Sequence, residues 1–346
     1  MSVNSSRMLV ACVGAVCLSG TSLAAVTNNY IAPEARSVEG GRDVRIVVGQ
    51  AEIQANINAL NTTAAAGGGL LFAMIDAGVN NARAKDAEKS VIPLREALVG
   101  YEFDPRAEMA SAMTLSGLEW FGARQTQLTK DESADATLAA LDAAATPQLM
   151  VMRYSYETTA DFSAILVHLN TSLLNKAIPQ GKKSTARLQP KNLAFVQSVR
   201  SVILLPDANP KDPDANVRAW SADGGRAARA ALDLGIQRCQ ELLQRGLTQS
   251  AADAASMAKR NKRPLSSVPG VSGWEIEKLP TSTLVYEFML GSLTQVETLG
   301  AAAAAPVNAA APAADAPAPV ATAAPAETAP AVVAPAAEAV PATPAQ

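Results

Sequence analysis

Three stretches in the middle of the chain alternate apolar and polar residues with a period of two, which is typical of strands with one buried face. In residues 149–156 the apolar face consists of Met150, Met152, Tyr154 and Tyr156. In residues 163–174 it consists of Ile165, Val167, Leu169 and Leu173, and residues 195–205 repeat the alternation. Because the links between these stretches are short or polar, we expect an antiparallel meander with one face in the core.

The chain before the meander predicts one strand and then helices. Residues 37–48 (SVEGGRDVRIVV) contain a Gly-Gly turn followed by a first core strand, whose inner face holds Val44, Ile46 and Val48. Residues 53–98 have a helical pattern, which three glycines at 67–69 interrupt and Pro93 kinks or restarts. We expect this helical segment and the next one to pack together on one side of a sheet.

The next helix is predicted to begin at Asp104 as N-cap, with Pro105 at its first position. One stripe of this helix is formed by Met109, Met113, Gly117 and Trp120. A short strand at residues 125–129 and an Ala-rich helix at residues 133–145 complete this part of the chain.

Another helix and a closing pair of strands follow the meander. The residues Ser221 to Asp223 are expected to cap a helix that reaches about Arg245, and its inward positions are Ala228, Leu232, Ile236, Cys239 and Leu243. Residues 274–276 and 283–290 are typical of a final strand pair. The fold class predicted by this order is α+β, with a largely antiparallel sheet and helices packed on one side.

Both ends of the chain have non-globular compositions. Arg7, a short apolar run and small residues near Ala25 are the layout of a secretory signal peptide over residues 1–25, with cleavage after Ala24 or Ala25. The protein is therefore expected to be periplasmic or secreted; lipidation at Cys12, giving an outer-membrane lipoprotein, and a retained membrane anchor are the alternatives. Residues 301–346 are Ala/Pro-rich, which predicts a disordered tail acting as a spacer or a solubilising segment. The globular α+β domain is then residues 26–300.

Composition excludes one partner class and sets the expectation for the thiols. The net charge is −3 and aromatic residues make up 4% of the chain, so the basic, aromatic-rich surface that nucleic-acid binding requires is missing. Removal of the signal peptide leaves Cys239 as the single cysteine, so no intramolecular disulfide is possible. Cys239 lies on an apolar stripe, which favours a buried inert thiol over a reactive or intermolecular one.

The stretch AAAGGGLLFAMIDAGV at residues 64–79 resembles three kinds of element at first sight. A phosphate-binding loop requires a Lys and a Ser or Thr directly after the glycines, and two leucines stand there. A membrane span is disfavoured by Asp76. The small residues Gly69, Ala73 and Ala77 recur every four positions and form a narrow helix face, which predicts helix packing within the chain or, alternatively, an assembly face.

Candidate catalytic groups are few, and no cofactor or metal site is predicted. His168 is the only histidine and is expected to be solvated on the polar face of its strand. Two loose carboxylate pairs, Glu102 with Asp104 and Asp131 with Glu132, leave open an acid-base hydrolase. Two basic loops are candidates for an anionic partner or a membrane surface, although exposed basic loops commonly have no dedicated partner; their residues are Lys182, Lys183, Arg187, Lys259, Arg260, Lys262 and Arg263.

The arrangement resembles the periplasmic domains of curli-secretion-type lipoproteins and the N-terminal domain of the Tol-system β-propeller protein. The segments VEGGRDVRIVV, GGGLLFAMIDAGVNNARAKDAE and ADFSAILVHLNTSLL resemble Gram-negative envelope proteins of the lipoprotein type, over about residues 35–250. The resemblance implies a non-catalytic envelope protein that acts in assembly, trafficking or scaffolding through protein-protein contacts. The alternatives are an envelope hydrolase with paired carboxylates and a ring-forming or pore-associated subunit.

Overall fold

Near the start of the chain, strands alternate with helices. Further along, strands follow one another directly and are interrupted by one long helix. The computed structural model describes residues 30–55, 88–176, 192–254, 263–265, 268, 271–287 and 292–300. All of them belong to one compact unit. The helices are α1 (Pro33–Arg36), α2 (Ile92–Ala97), α3 (Phe103–Ser116), α4 (Ala134–Ala143) and α5 (Pro213–Thr248). The strands are β1 (Arg42–Val48), β2 (Gln54–Ala55), β3 (Ala123–Thr129), β4 (Gln148–Thr158), β5 (Ala164–Asn175), β6 (Leu193–Leu204), β7 (Arg263–Leu265), β8 (Gly273–Lys278), β9 (Ser282–Glu287) and β10 (Ser292–Thr298).

The described strands form one mixed sheet in the order β3-β1-β4-β5-β6-β10-β9-β8-β7, and β2 also pairs with β4. The predicted meander is confirmed, since β4, β5 and β6 are consecutive antiparallel neighbours. The first strand is confirmed as β1, which lies parallel to both β3 and β4. The α+β class is likewise confirmed, and antiparallel pairings outnumber parallel ones.

The strand β10 is the main element that the sequence analysis did not predict. It lies parallel to β6 and antiparallel to β9, and it thereby joins the closing strands to the meander. Its residues Thr294, Gln295 and Glu297 are polar and nevertheless buried. A strand with polar residues on both faces gives little period-two signal, so the pattern alone did not identify it.

The helix α5 covers the central strands of one face of the sheet. All five predicted inward positions, from Ala228 to Leu243, are buried. A Cβ at Gly235 would lie 2.5 Å from Cγ2 of Val167, so glycine allows the helix axis to approach β5 closely. The described span contains a kink at residues 222–225, where Asp223, Gly224 and Gly225 have positive φ. The long second half of the helix therefore begins where the SAD cap was predicted.

The opposite face of the sheet is covered partly by α4. Leu141 of α4 packs with Val47, Leu149, Val151 and Leu174 in a separate apolar cluster. Ser133 caps this helix, because its hydroxyl accepts a hydrogen bond from the amide of Ala136. The predicted helix at residues 133–145 is thus confirmed.

Arg42 at the start of β1 is 1% exposed and fixes α1 to the rest of the domain. Its guanidinium donates to the carbonyls of Ala35 and Arg36 at the end of α1, and to those of Trp120 and Phe121 after α3. Burial lowers the pKa of Arg42 from its ordinary value. Carbonyl groups from two chain segments therefore solvate a charge that lies deep inside the fold.

Two details of the predicted helices are wrong. Residues 54–55 form β2 instead of helix, whereas Pro93 lies in the first turn of the helix that begins at Ile92, in agreement with the predicted restart. The helix α3 begins at Phe103, one residue before the predicted cap, and its N-cap Glu102 makes no side-chain capping bond. The glycine-rich segment at 67–69, the predicted signal peptide and the predicted Ala/Pro tail lie outside the described residues.

Candidate functional site: a groove between α3 and α5

An open groove of about 430 Å³ runs between α3 and the second half of α5. Its α3 wall consists of Arg106, Met109, Ala110, Met113 and Thr114, and its α5 wall consists of Asp233, Ile236, Gln237, Gln240, Glu241 and Gln244. From Asp233 to Gln244 the groove follows about three turns of helix, or roughly 17 Å at 1.5 Å per residue.

The helix α3 is apolar on two sides, and the groove lies along the outer one. The inner stripe is buried and consists of Phe103, Ala107, Ser111 and Leu115. The side chains of Met109 and Met113 are 62% and 70% exposed, so most of the stripe predicted from the sequence faces solvent. Gly117 ends the helix, and Trp120 lies beyond it, where Arg42 stacks on its ring at 4.9 Å.

A chain of hydrogen bonds lies beneath the groove. The hydroxyl of Ser111 donates to the carbonyl of Ala107 at 2.7 Å and lies 2.7 Å from the hydroxyl of Tyr154. The amide nitrogen of Gln240 donates to the same tyrosine hydroxyl and lies 3.3 Å from the Ser111 oxygen. The three side chains are each at least 95% buried, so this polar cluster joins α3, α5 and β4 inside the core.

The end of the groove near α2 is closed by an aromatic and charged group. Tyr101 donates a hydrogen bond of 2.8 Å to Asp233, and Arg106 forms an ion pair of 3.0 Å with the same carboxylate. The guanidinium of Arg106 also stacks 4.9 Å from the centre of the Tyr101 ring. Both charges of this pair are about half exposed, so the pair orders the rim and contributes little to folding stability.

The other end of the groove is set by a second ion-paired carboxylate. Glu241 accepts from Arg238 at 2.8 Å, and the same arginine binds Glu297 of β10 at 2.7 Å. The hydrogen bonds that Arg238 donates to Glu297 raise the pKa of Arg238. The acids that line the groove are thus both held by arginines, and the groove carries little net charge.

The phenol and thiol groups around the groove are held in their neutral forms. Burial raises the pKa of Tyr154, and burial together with the hydrogen bond to Asp233 raises the pKa of Tyr101. Burial also raises the pKa of Cys239, whose thiol donates to the carbonyl of Val167 on the sheet side of α5. The prediction of a buried cysteine is confirmed.

Most of the candidate positions from the sequence lie outside the described residues. These are Gly69, Ala73 and Ala77 of the small-residue face, and Lys182, Lys183, Arg187, Lys259, Arg260 and Lys262 of the basic loops. Arg263 is the first residue of β7, and its backbone lies opposite that of Glu275 in the neighbouring strand β8. The structure therefore brings none of these positions to the groove within the part of the chain that it describes.

His168 is less solvated than predicted. It is half-buried on the sheet face opposite α5, and its Nε2 lies 3.1 Å from a carboxylate oxygen of Glu157. Its cross-strand neighbour Arg200 forms a buried ion pair of 2.5 Å with Glu287, which also accepts a hydrogen bond from Thr294. Alternation identified this face as polar, but it did not indicate which polar residues meet.

One acid in each of the two carboxylate pairs from the sequence has a partner outside its pair. Asp104 forms an ion pair of 2.5 Å with Lys130, while Glu102 is exposed at the N-cap of α3. Asp131 accepts a hydrogen bond from the Ser133 amide at 2.9 Å, and its bonds to Ser133 lower its pKa. Within the described residues, no group of three or more His, Cys, Asp or Glu side chains is placed to hold a metal ion.

Comparisons with known proteins add no relative to this description. A scan against protein-family models, a search of curated proteins and a search of solved structures each found no match to the chain. Among the described residues, no helix combines the length and the apolar character needed to cross a membrane.

The residues that form the groove could have been found in part from the sequence. Met109 and Met113 were identified as a stripe, but a second apolar stripe of α3 is spaced by four residues from Phe103 to Leu115. A helix that is apolar on two sides can bury only one of them against a single sheet. Tyr154 was predicted on the inner face of its strand, whereas the contact with Gln240 and Ser111 depends on the tertiary fold.

Proposed function

We propose that this protein is a non-catalytic module of the cell envelope that binds another protein through the groove between α3 and α5. The observation that supports this most directly is the pair of exposed methionines, Met109 and Met113, along an open groove. Beneath this groove lies the hydrogen-bonded cluster of Ser111, Tyr154 and Gln240. The role of such a module is assembly, trafficking or scaffolding, as the resemblance to Gram-negative envelope proteins implies.

The composition of the groove supports a protein partner. Protein interfaces have an apolar centre enriched in methionine and aromatic residues and a polar rim. Here Met109, Met113 and Ile236 form the centre, and Gln237 and Gln244 belong to the rim. Methionine side chains are unbranched and polarisable, so they adapt to the shape of a partner.

Export is part of the proposal and has its own support. The basic start, the short apolar run and the small residues before position 26 are the features of a cleaved signal peptide. In this proposal the Ala/Pro tail extends the reach of the domain in the periplasm. Mass spectrometry of the exported protein should give an N-terminus at Ala25 or Val26, whereas an acylated Cys12 would assign the protein to the lipoproteins.

Site-specific photo-crosslinking in cells tests the groove directly. A benzophenone amino acid at position 109 or 113 is expected to give one discrete crosslinked product, because a bound partner lies within reach of both positions. The same amino acid at Val99 is the matched control, since Val99 is 76% exposed and lies outside the groove lining.

The proposal fails if positions 109 and 113 give no product that the control lacks. A product with twice the mass of the chain would identify a second copy as the partner and favour the ring-forming alternative. Light scattering on the mature protein, with and without mild detergent, then gives the number of copies.

A further inference from the structure

The side-chain amide of Gln240, beneath the groove, is hydrogen-bonded at its nitrogen, whereas its oxygen has no partner among the described residues. The Ser111 hydroxyl has a single proton, which it donates to the Ala107 carbonyl. An amide nitrogen can only donate, so Gln240 donates through Nε2 to the Tyr154 hydroxyl, which lies 2.7 Å from the Ser111 hydroxyl.

The consequence falls on the carbonyl oxygen of the Gln240 side chain. The amide nitrogen of Gln240 already donates to Tyr154, so Oε1 is the part of the side chain that can accept another hydrogen bond. This oxygen has no hydrogen-bond partner among the described residues. Gln240 is 5% exposed and lies in the wall of the groove. A buried acceptor without a donor is costly, and a bound group that supplies one removes this cost.

The groove also restricts the charge and shape of whatever supplies that donor. The acids at its two ends, Asp233 and Glu241, are already paired with Arg106 and Arg238. An ammonium or guanidinium group brought to Gln240 would be buried without a counter-charge, so a neutral donor is favoured. The length of about three turns and the open apolar wall between two helices suit a third helix laid alongside them.

We infer that the occupant of the groove is an amphipathic helix of a partner protein. It places aliphatic side chains over Met109, Met113 and Ile236 and one neutral hydrogen-bond donor, from Ser, Thr, Asn or Gln, at Oε1 of Gln240. This inference rests on the proposed function, and it adds the chemistry by which the partner is recognised.

A displayed library of helical peptides tests the inference and does not require the partner to be identified first. The library carries a 16-residue amphipathic helix with four varied positions on its apolar face, and it is selected on the mature wild-type protein. Selected peptides are then measured against Met109→Glu/Met113→Glu, which blocks the groove, and against Val99→Glu, a control with the same type of change outside it.

We expect groove-specific peptides to have aliphatic residues at three varied positions and a Ser, Thr, Asn or Gln at the fourth. Replacing that donor by Ala should raise the Kd for the wild-type protein by about tenfold. For a selected serine, O-methylserine should have the same effect, because it keeps the oxygen and removes the proton. On Gln240→Met, checked for folding by thermal unfolding, these replacements should change the Kd less than twofold.

The outcomes separate this inference from the proposed function. If peptides bind the groove but show no preference for a donor, or if O-methylserine binds as well as serine, the inference is wrong and the function stands. If no selected peptide is lost on Met109→Glu/Met113→Glu, the groove is not a helix-binding site and the inference is wrong, while the crosslinking at positions 109 and 113 decides the proposed function. The O-methylserine comparison uses only the wild-type protein, so it decides even if Gln240→Met does not fold.

Discussion

Two buried polar clusters lie on opposite faces of the sheet, and they are satisfied in different ways. On the face opposite α5, Arg200 and Glu287 pair at 2.5 Å, and Thr294 donates to the same carboxylate. Beneath the groove, Gln240, Tyr154 and Ser111 form a neutral relay that ends on a backbone carbonyl. The charged cluster neutralises itself inside the fold, whereas the neutral relay leaves one acceptor next to the groove.

The charged cluster therefore matters for folding stability, whereas the neutral relay matters for the recognition of a partner. A buried ion pair that loses one partner leaves an unpaired charge, so the fold strongly constrains both residues. A neutral amide oxygen without a donor costs less than an unpaired buried charge, so the fold retains it, and a ligand that supplies the donor removes this cost. We therefore expect substitutions in the first cluster to affect folding and substitutions at the groove to affect partners.

The largest expected effect is on the charged cluster. Glu287→Gln should lower the free energy of unfolding by about 3–5 kcal/mol, because Arg200 stays buried without its carboxylate. The same change at Glu241, which pairs with Arg238 at a more exposed site, should cost less than about 1 kcal/mol. Urea denaturation measures both values, and equal midpoints would contradict the comparison.

The neutral relay should show a smaller loss. Tyr154→Phe removes the central hydroxyl, which takes one hydrogen-bond partner from Ser111 and leaves Gln240 with a longer bond, and it should cost about 1–3 kcal/mol. Tyr101→Phe makes the same chemical change at the half-buried rim and should cost less than Tyr154→Phe. If the two variants unfold at the same denaturant concentration, the relay contributes nothing particular to stability.

High pH should weaken the relay without any substitution. Burial raises the pKa of Tyr154, and it raises that of Tyr156 to about 12, against an ordinary value of 10.0. The unfolded chain therefore releases these protons at lower pH than the native protein, so this contribution is complete below pH 10 and declines as the pH rises above it. Tyrosinate absorbance should show that Tyr154 and Tyr156 ionise together with unfolding, and ionisation of both in the native state would contradict this expectation.

The smallest expected effect on stability is at the groove itself. Met109→Ser/Met113→Ser should change the free energy of unfolding by no more than about 0.5 kcal/mol per residue, since both side chains face solvent. Leu115→Ala on the buried side of the same helix should cost about 2–5 kcal/mol. Thermal unfolding compares the two, and a large loss for the methionine variant would show that the methionines pack against the fold.

The sequence predicted the central part of the fold better than its edges. The alternation in β4, β5 and β6 is regular because one face of each strand meets the core, so both the strands and their antiparallel order were predictable. The inward stripe of α5 was predictable for the same reason, with a period of 3.6. In contrast, β10 has buried polar residues on both faces, and β2 is only two residues long.

The candidate site was predictable only in fragments. Met109 and Met113 formed a recognisable stripe, but the sequence does not tell which of two apolar stripes of α3 is buried. That choice depends on where α5 lies, because the stripe from Phe103 to Leu115 packs against β4 and α5 and turns the methionines outward. Tyr154 was assigned to the inner face of its strand, and nothing local indicated a hydroxyl partner.

The sequence by itself determined the α+β class, the meander, the inner face of α5 and the burial of Cys239, because each depends on a local period of apolar residues. Only the tertiary structure decided the groove, the contacts among Ser111, Tyr154 and Gln240 beneath it and the pairing of Arg200 with Glu287. These features join residues that are between 43 and 129 positions apart in the chain. Local periodicity determines which face of an element is buried, but the identity of the contacting side chains depends on how the elements pack in three dimensions.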